Sequence, residues 1–421
     1  MESTSSKVLK ILLLLILHNI AALSTPTASS LFINEALPTK TGYLPVNPAT
    51  SSAMFYAFYE AQKAISPLSE TPLIIWLQGG PGCTSMVGNF MELGPWRVSS
   101  HKASSKPFAL EQNPGSWNHL FGLLFLDNPI GTGFSIASTL EEIPRNQYSV
   151  AKHLFSAITS FVELDPLFKF RPLYFAGESY AGKYVPAIGY YMLKKNPYLA
   201  MSKRLNLAGI AIGNGLTDPV TQVATHAMNA YYSGLINERQ RNELEKAQWE
   251  AVKLTKMGNW KEATNARIRE VKKALGVNES MVYELCSDIV AAALRDDFMK
   301  SMKYMVELLV KKSKVLLYQG QLDLRDSVVS TLASVKTMKW EGLSEFLMAE
   351  RRVWEVNGEL AGYVQKWGNL SHVVVLGAGH LVPTDQPLSS QAMIEDWILE
   401  KGLFGYDEKV DESIDFSLFD K

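Results

Sequence analysis

Short apolar segments alternate with longer segments of helical spacing along most of the chain. Segments of uniformly apolar character that are four to seven residues long are typical of strands buried on both faces of a parallel sheet. Six such segments are predicted strands: 72–77, 123–126, 173–176, 208–212, 315–318 and 373–376. Helical spacing occurs at 147–163, 180–195 and 387–399. The alternation predicts an α/β fold with a mainly parallel sheet and helices on both faces.

One long segment breaks this alternation. Residues 218–303 contain no convincing strand and are rich in charged residues and good helix formers. We interpret them as a helical insertion, a cap between two core strands. The predicted organisation is therefore a core formed by residues 25–217 and 304–421, interrupted by the helical insertion at 218–303.

Composition places the chain among ordinary globular proteins. It has 421 residues, of which 47% are hydrophobic and 20% charged, and its formal net charge is -1. No basic stripe is present, so the charge pattern argues against a nucleic-acid partner or a polybasic membrane contact. After the first 24 residues, no apolar segment reaches the length that a membrane span needs.

The N-terminus has the pattern of a signal peptide. Two lysines precede an apolar run at 11–17, and the small residue Ala22 follows before a polar stretch. The alternative is a membrane anchor, but the run is too short to span a bilayer and is interrupted by His18. We predict a signal peptide at 1–24 and passage through the secretory pathway, to the vacuole or the extracellular space.

Two cysteines and two glycosylation triplets bear on that route. An oxidising compartment favours a disulfide between Cys83 and Cys286, although two unpaired buried thiols remain an alternative. Asn278 and Asn369 each begin an Asn-x-Ser triplet, which accepts a glycan where it is exposed.

The strongest candidate for chemistry is a serine between a strand and a helix. The predicted strand at 173–176 leads into Gly177-Glu-Ser-Tyr-Ala-Gly182, and a helical pattern follows. A nucleophile elbow requires this context, because small flanking residues permit the strained turn that presents the serine hydroxyl. Ser179 is the predicted nucleophile; a tight turn with a solvated serine is the alternative.

A serine nucleophile needs a histidine that acts as a base and a carboxylate that orients this histidine. In α/β-hydrolases the carboxylate follows the serine in the chain, and the histidine comes last. His380 follows the predicted strand at 373–376, whereas His372 precedes it and would lie at the wrong end. Asp323 follows the predicted strand at 315–318. Asp326 competes with Asp323, and either could cap a helix instead.

Six motifs follow one another along the chain: WLQGGPGC at 76–83, NPGSW at 113–117, DNPIGTGFS at 127–135, GESYAG at 177–182, GNG at 213–215 and HLVP at 380–383. Together they resemble those of the serine carboxypeptidase family, in particular plant serine carboxypeptidase-like proteins. The resemblance implies an α/β-hydrolase fold and a triad of Ser179, Asp323 and His380. The family pattern has an acid two residues before Asp323, where this chain has Gln321.

The resemblance also implies an oxyanion hole and a substrate-binding group. The backbone N–H groups of Gly80 and Tyr180 would form the oxyanion hole. The implied binding group for a peptide's terminal carboxylate is Gln78, Glu178, Glu92, Trp76 and Gly79. Gln78 stands where the family commonly has asparagine. The plain alternative for Glu92 is an exposed glutamate on a helix.

Two further expectations follow from the same resemblance. Two carboxyls that share a proton bind a substrate carboxylate only while one stays protonated, so peptide hydrolysis is expected to be favoured in acid. Cys83 also matches a family cysteine that pairs with one beyond the cap, which supports the Cys83–Cys286 disulfide.

The leading hypothesis is a serine carboxypeptidase that acts on peptides and needs no metal or organic cofactor. An acyltransferase that uses sugar esters is the first alternative; such relatives often carry aspartate at the position of Glu178. A catalytically idle binding or protective protein is the second.

Overall fold

The computed structural model describes residues 36–100, 108–274 and 286–405. The predicted signal peptide and Asn278 lie outside these residues, so both remain predictions. None of the helices in the described ranges combines the length and the apolar character needed to cross a lipid bilayer.

A large mixed sheet forms the centre of the molecule. The strands of the described residues are β1 Lys40–Pro45, β2 Ala53–Tyr59, β3 Leu73–Leu77, β4 Trp96–Ser100, β5 Phe108–Gln112, β6 Gly122–Leu126, β7 Leu173–Glu178, β8 Leu207–Gly213, β9 Lys314–Gly320, β10 Arg352–Val356, β11 Glu359–Trp367 and β12 Leu370–Val375. Ten of them form one sheet in the order β1-β2-β6-β3-β7-β8-β9-β12-β11-β10. Strands β4 and β5 pair separately.

The six strands predicted from apolar runs are the six adjacent parallel strands of this sheet, β6, β3, β7, β8, β9 and β12. Antiparallel strands β1 and β2 extend one side, and β11 and β10 extend the other. The outer strands were not predicted. Exposed and buried positions mix in β1, β10 and β11, because antiparallel strands can leave one face of the sheet to solvent.

Helices cover both faces of the sheet. The α-helices of the described residues are α1 Gln147–Glu163, α2 Ala181–Lys195, α3 Pro219–Val223, α4 His226–Tyr232, α5 Glu238–Lys256, α6 Trp260–Ala274, α7 Asp288–Ala293, α8 Lys303–Val310, α9 Val328–Val335, α10 Leu343–Met348, α11 Val382–Asp385 and α12 Pro387–Leu399. The three predicted helices correspond to α1, α2 and α12, each within one residue at its ends. Two large apolar cores result, one on each face of the sheet.

The chain between β8 and β9 holds helices α3 to α8, and its described residues contain no strand. The N-terminus of α5 is stabilised by a capping box, in which the side chains of Asn237 and Gln240 each accept from the other's backbone N–H. Small buried residues such as Ala251 and Ala263 pack α5 and α6 together. The division of the chain into core and helical insertion stays a prediction.

A disulfide between Cys83 and Cys286 joins the loop after β3 to the chain just before α7. The backbone strengthens this junction, because the N–H of Ser287 donates to the carbonyl of Gly82 over 2.8 Å. The predicted pairing is confirmed, and the chain between the two cysteines closes a loop with a sequence separation of 203.

Candidate active site

Ser179 lies in the sharp turn between β7 and α2, at the carboxyl end of the central strand. Its φ is +60°, a left-handed conformation that non-glycine residues rarely adopt. Gly177 must lack a side chain, because a Cβ there would lie 2.4 Å from the Leu77 carbonyl oxygen and 2.7 Å from the Cβ of Ala181. The turn therefore has the geometry of a nucleophile elbow, which lifts the hydroxyl above the sheet.

Asp323 and His380 follow the ends of β9 and β12, which are neighbouring parallel strands. His380 Nδ1 lies 2.7 Å from Asp323 Oδ2. The two loops approach closely at Gly320, where a Cβ would lie 2.0 Å from the Gly379 carbonyl oxygen. Two residues 57 positions apart thus form the hydrogen-bonded pair that the sequence predicted.

The Asp323 carboxyl is buried and surrounded by donors. Asn214 Nδ2 donates to Oδ2 over 2.6 Å, and the backbone N–H of Arg325 donates to Oδ1 over 2.9 Å. Burial raises the pKa of this carboxyl, but the charges and hydrogen bonds of His380 and Arg325 outweigh burial and hold the pKa well below its usual range. Asp323 is therefore ionised and able to orient the His380 ring.

The competing residues have other partners. His372 lies inside β12 rather than before a strand, because β12 begins at Leu370. Its Nε2 lies 2.7 Å from Gln319 Oε1, and burial lowers the pKa of its imidazole to about 3. Asp326 is also buried, and its Oδ2 accepts from Arg325 Nε over 2.8 Å. Neither residue takes the place of His380 or Asp323.

An arginine lies across the predicted nucleophile and base. Arg325 Nη2 is 2.9 Å from Ser179 Oγ and 2.7 Å from His380 Nε2. The guanidinium bridges the side chains of Ser179 and His380. These two side chains, both within the described part of the chain, are not hydrogen-bonded to each other. All three predicted triad residues converge, with a cation between two of them.

The loop after β3 packs against the elbow. A Cβ at Gly79 would lie 2.6 Å from the Glu178 carbonyl oxygen and 2.7 Å from the backbone nitrogen of Tyr180. Gly80 has a φ of +110°, which favours glycine because it has no Cβ. The backbone of Gly79 therefore lies against that of Tyr180, and Gly80, the other residue expected to form an oxyanion hole, comes next in the chain.

The predicted carboxylate-binding residues form one buried cluster. Trp76 Nε1 donates to Gln78 Oε1 over 2.8 Å, and because the indole can only donate, the amide nitrogen of Gln78 points the other way. Gln78 Nε2 donates to Glu178 Oε1 over 2.8 Å and to Glu92 Oε1 over 3.2 Å. Glu92 lies in a buried π-helical turn, Gly88–Leu93, so the alternative of an exposed helix residue is wrong.

Glu92 and Glu178 are both buried, and both accept a hydrogen bond from the amide nitrogen of Gln78. Burial raises the pKa of Glu92 to about 7, against smaller effects of its hydrogen bonds. Burial, then the charge of Glu92, raises the pKa of Glu178 well above its usual value. Neither Oε2 atom has an N–H or O–H donor among the described residues. A proton shared between the carboxyls would satisfy both atoms.

One group of possible metal ligands occurs in the described residues, and it overlaps the triad. Donor atoms of Asp323, Asp326 and His380 lie within 4.8 Å of one another. The guanidinium of Arg325 hydrogen-bonds to Asp326 and His380 in this space. A cation, the arginine side chain, therefore already contacts two of the three groups.

Two residues of this site were missed by the sequence analysis. Asn214 lies in the GNG motif after β8, and its side chain links Asp323 to the backbone N–H of Gly320. Arg325 follows Asp323 by two positions. The motif was a signal for Asn214; nothing in the local pattern indicated that Arg325 folds back across Ser179.

Asn369, a predicted glycosylation site, lies in the turn between β11 and β12 and is half-buried. Its Nδ2, the atom that would carry a glycan, donates to the Val310 carbonyl over 2.9 Å. Glycosylation at this position stays a prediction.

Comparison with known proteins gives consistent matches across most of the chain. The sequence model of the family described as serine carboxypeptidase matches residues 32–267 and 264–400. The chain is 56% identical over 411 residues to serine carboxypeptidase-like 50 of Arabidopsis thaliana, covering 89% of this chain and 90% of the relative. It is 33% identical to the human protein named probable serine carboxypeptidase CPVL, covering 86% and 83% of the two chains.

A solved structure has the same architecture. The prohormone-processing carboxypeptidase Kex1Δp of Saccharomyces cerevisiae aligns with a TM-score of 0.74 at 24% identity, covering 87% of this chain and 92% of that one. At this identity the likeness concerns the fold alone. The predicted α/β-hydrolase fold is confirmed.

Proposed function

Because the chain belongs to the serine carboxypeptidase family of hydrolases, we propose that it removes C-terminal residues from peptides through an acyl-enzyme. This proposal rests on the arrangement of buried side chains beside Ser179. Glu178 immediately precedes Ser179 and is buried with Glu92 and Gln78 in a cluster where burial raises the pKa of both carboxyls. A group that binds a terminal carboxylate this close to the nucleophile restricts attack to the last peptide bond.

In the proposed acylation step, Ser179 Oγ attacks the last peptide carbonyl while His380 Nε2 accepts the hydroxyl proton. The negative charge that develops on the carbonyl oxygen is stabilised by the N–H groups of Gly80 and Tyr180, and such a donor typically contributes about 2.7–4 kcal/mol. His380 then donates its proton to the leaving amine as the carbon–nitrogen bond breaks. Asp323 keeps the imidazole oriented through Nδ1.

In the proposed deacylation step, the same residues act on water. His380 accepts a proton from a water molecule that attacks the ester carbonyl, and then returns a proton to Ser179 Oγ as the ester breaks. For either step His380 Nε2 must be released by Arg325, which contacts it in the structure.

The buried carboxyls make the proposed activity depend on pH. A substrate carboxylate can accept a hydrogen bond from the pair only while Glu178 or Glu92 is protonated. Burial raises the pKa of Glu92 to about 7 and that of Glu178 well above its usual value, so the pair holds both protons in acid. It loses the first as pH rises through about 7, and the negative charge that it then gains repels the substrate carboxylate. We therefore expect KM to rise above that pH for peptides with a free C-terminus.

The experiment compares blocked dipeptides that have a free or an amidated C-terminus, at pH 4 to 8. The proposal expects release of the last residue from the free acid, weaker cleavage of the amide, and no cleavage of either by Ser179→Ala. Equal cleavage of the acid and the amide would remove the carboxylate site from the proposal. Transfer of an acyl group from a glucose ester to an alcohol, without peptide cleavage, would favour the acyltransferase.

We also propose that the protein follows the secretory pathway to the vacuole or the extracellular space. The disulfide between Cys83 and Cys286 supports this, because such bonds persist in oxidising compartments. N-terminal sequencing of the protein recovered from expressing eukaryotic cells should find a start near residue 25, and an intact N-terminus would contradict the proposal.

A further inference from the structure

Arg325 is the charged residue nearest to the reacting atoms that the proposed mechanism does not use. It follows the catalytic acid candidate Asp323 in the loop after β9. Its guanidinium contacts Ser179 Oγ and His380 Nε2 through Nη2, and Asp326 Oδ2 through Nε. These contacts join residues up to 146 positions apart in the sequence.

The guanidinium contact has a chemical consequence for the base. A guanidinium can only donate hydrogen bonds, so the Nε2 atom that it contacts must be the unprotonated nitrogen of a neutral imidazole. The lone pair on Nε2 is also the one that must accept the proton of Ser179. Arg325 in this position therefore competes with the general-base step, and it has to move before Ser179 can attack.

The arginine side chain has room to move. Its side chain is 36% exposed, whereas its partner Asp326 is 1% exposed and stays in place. Asp326 is also approached by a second arginine, Arg267, whose Nη2 lies 3.7 Å from Oδ1. A carboxylate that entered from the solvent side would offer Arg325 an anionic partner in exchange for the contacts with Ser179 and His380.

The position of His380 indicates which part of a peptide would provide that carboxylate. His380 protonates the leaving amine in the proposed mechanism, so the leaving residue lies on its side of Ser179, beside the guanidinium. The backbone carboxylate of that residue is taken by the Glu178–Glu92 cluster at the ends of β3 and β7. The side chain of the leaving residue is then the group that faces Arg325.

We propose that Arg325 is a specificity-determining residue that selects peptides with an acidic C-terminal residue and uncovers Ser179 and His380 when it binds that side chain. The inference rests on the proposed carboxypeptidase function. Arginine is suited to this task because its planar guanidinium pairs with a carboxylate through two parallel hydrogen bonds and stays charged at every working pH.

The test uses two peptides that differ in charge but hardly in shape, benzyloxycarbonyl-Phe-Glu and benzyloxycarbonyl-Phe-Gln. In the unmodified enzyme we expect kcat/KM to be roughly 10- to 100-fold higher for the glutamate peptide, the range of a charge-assisted hydrogen bond. In Arg325→Met the ratio should fall to about 1, with a gain for the glutamine peptide because the base is uncovered.

Arg325→Lys provides the matched control, because it keeps the charge but cannot pair through two parallel hydrogen bonds. Its glutamate-to-glutamine ratio should lie between those of the other two enzymes. Melting temperatures of all three show that they are folded. An unchanged ratio in Arg325→Met overturns the inference. So does an equal loss on both peptides, which would mean that Arg325 binds the terminal carboxylate instead.

Two further measurements separate this inference from the proposed function. A neutral fluorophosphonate offers no carboxylate, so Arg325→Met should be labelled at Ser179 at least about tenfold faster than the unmodified enzyme, whose uncovered state is a minor one. Equal labelling rates overturn the covering role.

Binding is measured by calorimetry in the Ser179→Ala background, with and without Arg325→Met. If no peptide is hydrolysed but glutamate is bound more tightly only when Arg325 is present, the carboxypeptidase function fails and the selection by Arg325 stands. Binding of neither peptide, or equal binding of both, overturns the selection.

Discussion

Ser179 lies between two clusters of charged groups that are built in opposite ways. On the side of β3 and β7, Glu178 and Glu92 are buried together and hydrogen-bonded to Gln78. On the side of β9, a half-exposed arginine, Arg325, is held by the buried carboxylate of Asp326. The first cluster has negative groups that need a proton, and the second has a permanent positive charge.

The difference separates two ways of recognising a carboxylate. A protonated carboxyl pair donates a hydrogen bond only below the pKa of the pair, so recognition by Glu178 and Glu92 depends on pH. A guanidinium keeps its charge, so recognition by Arg325 does not. We therefore expect the two clusters to respond to different changes in the substrate. Three substitutions test how independent the clusters are, and a fourth tests the stability of the β3 side.

The largest effect is expected from Asp323→Asn, which affects the reacting centre that both clusters serve. The asparagine would leave the imidazole without its orienting anion, and the loss in kcat should be about 10⁴-fold for every peptide. The ratio between glutamate and glutamine peptides should stay constant. Steady-state kinetics measure both quantities.

The control is Gln321→Ala, two residues earlier and exposed, which should leave kcat within about twofold because surface changes cost little. A loss below tenfold for Asp323→Asn would contradict the orienting role of this residue.

The second-largest effect is expected on the free energy of unfolding, from removal of the disulfide in the loop after β3. Cys83→Ser removes the disulfide that holds the loop after β3 against the chain just before α7. Loop-closure entropy for so long a loop corresponds to about 4–5 kcal/mol of unfolding free energy. Urea unfolding should show this loss, matched by Cys286→Ser and not exceeded by the double substitution. An unchanged unfolding free energy would contradict it.

Glu92→Gln should shift the pH dependence of peptide hydrolysis without changing the preference for glutamate over glutamine peptides that depends on Arg325. Burial raises the pKa of Glu178 most, and the charge of Glu92 and its hydrogen bond raise it further. Without Glu92, Glu178 would lose its proton at a lower pH than it does in the pair, and the rise in KM should shift in the same direction. The pH dependence of kcat/KM for the free-acid peptide measures this shift.

The amidated peptide is the control, since its profile should not depend on a carboxylate site. A profile that stays in place in Glu92→Gln would contradict the coupling of the two carboxyls. A change in the glutamate-to-glutamine ratio would show that the two clusters are not independent.

The smallest effect is expected from Asp326→Asn. The amide keeps the shape of the side chain but no longer neutralises Arg325, so a substrate carboxylate would meet less competition. The glutamate-to-glutamine ratio should rise about 2- to 5-fold, the range of a half-exposed ion pair. A fall in the ratio, with the melting temperature unchanged, would show that Asp326 positions Arg325 for substrate rather than competing with it.

The difference between the central and outer strands shows how far sequence patterns predicted the fold. The six parallel strands are buried on both faces, so their apolar runs identified them to within a few residues. Strands such as β10 and β11 carry exposed residues at several positions and were missed. His372 was placed before a strand for a related reason, because Leu370 and Ser371 did not extend the apolar run in sequence.

The sequence predicted the candidate active site about as far as it predicted the strands. Ser179, Asp323 and His380 each follow a buried strand, and the order of these strands in the sheet brings their ends together. Glu92 was assigned by resemblance and proves to be buried beside Glu178. Asn214 was part of a recognised motif but had no assigned role, since its contact with Asp323 depends on how β8 and β9 align.

The sequence by itself determined the parallel strands and the chain order of serine, acid and histidine, because both depend on short segments whose burial and turn chemistry are local. Only the tertiary structure decided that Arg325 lies across Ser179 and His380, and that two glutamates share one buried environment. A long side chain selects among many rotamers, and the partners that decide between them come from distant parts of the chain. Likewise, a carboxyl's pKa depends on the burial and the neighbouring charges that packing imposes.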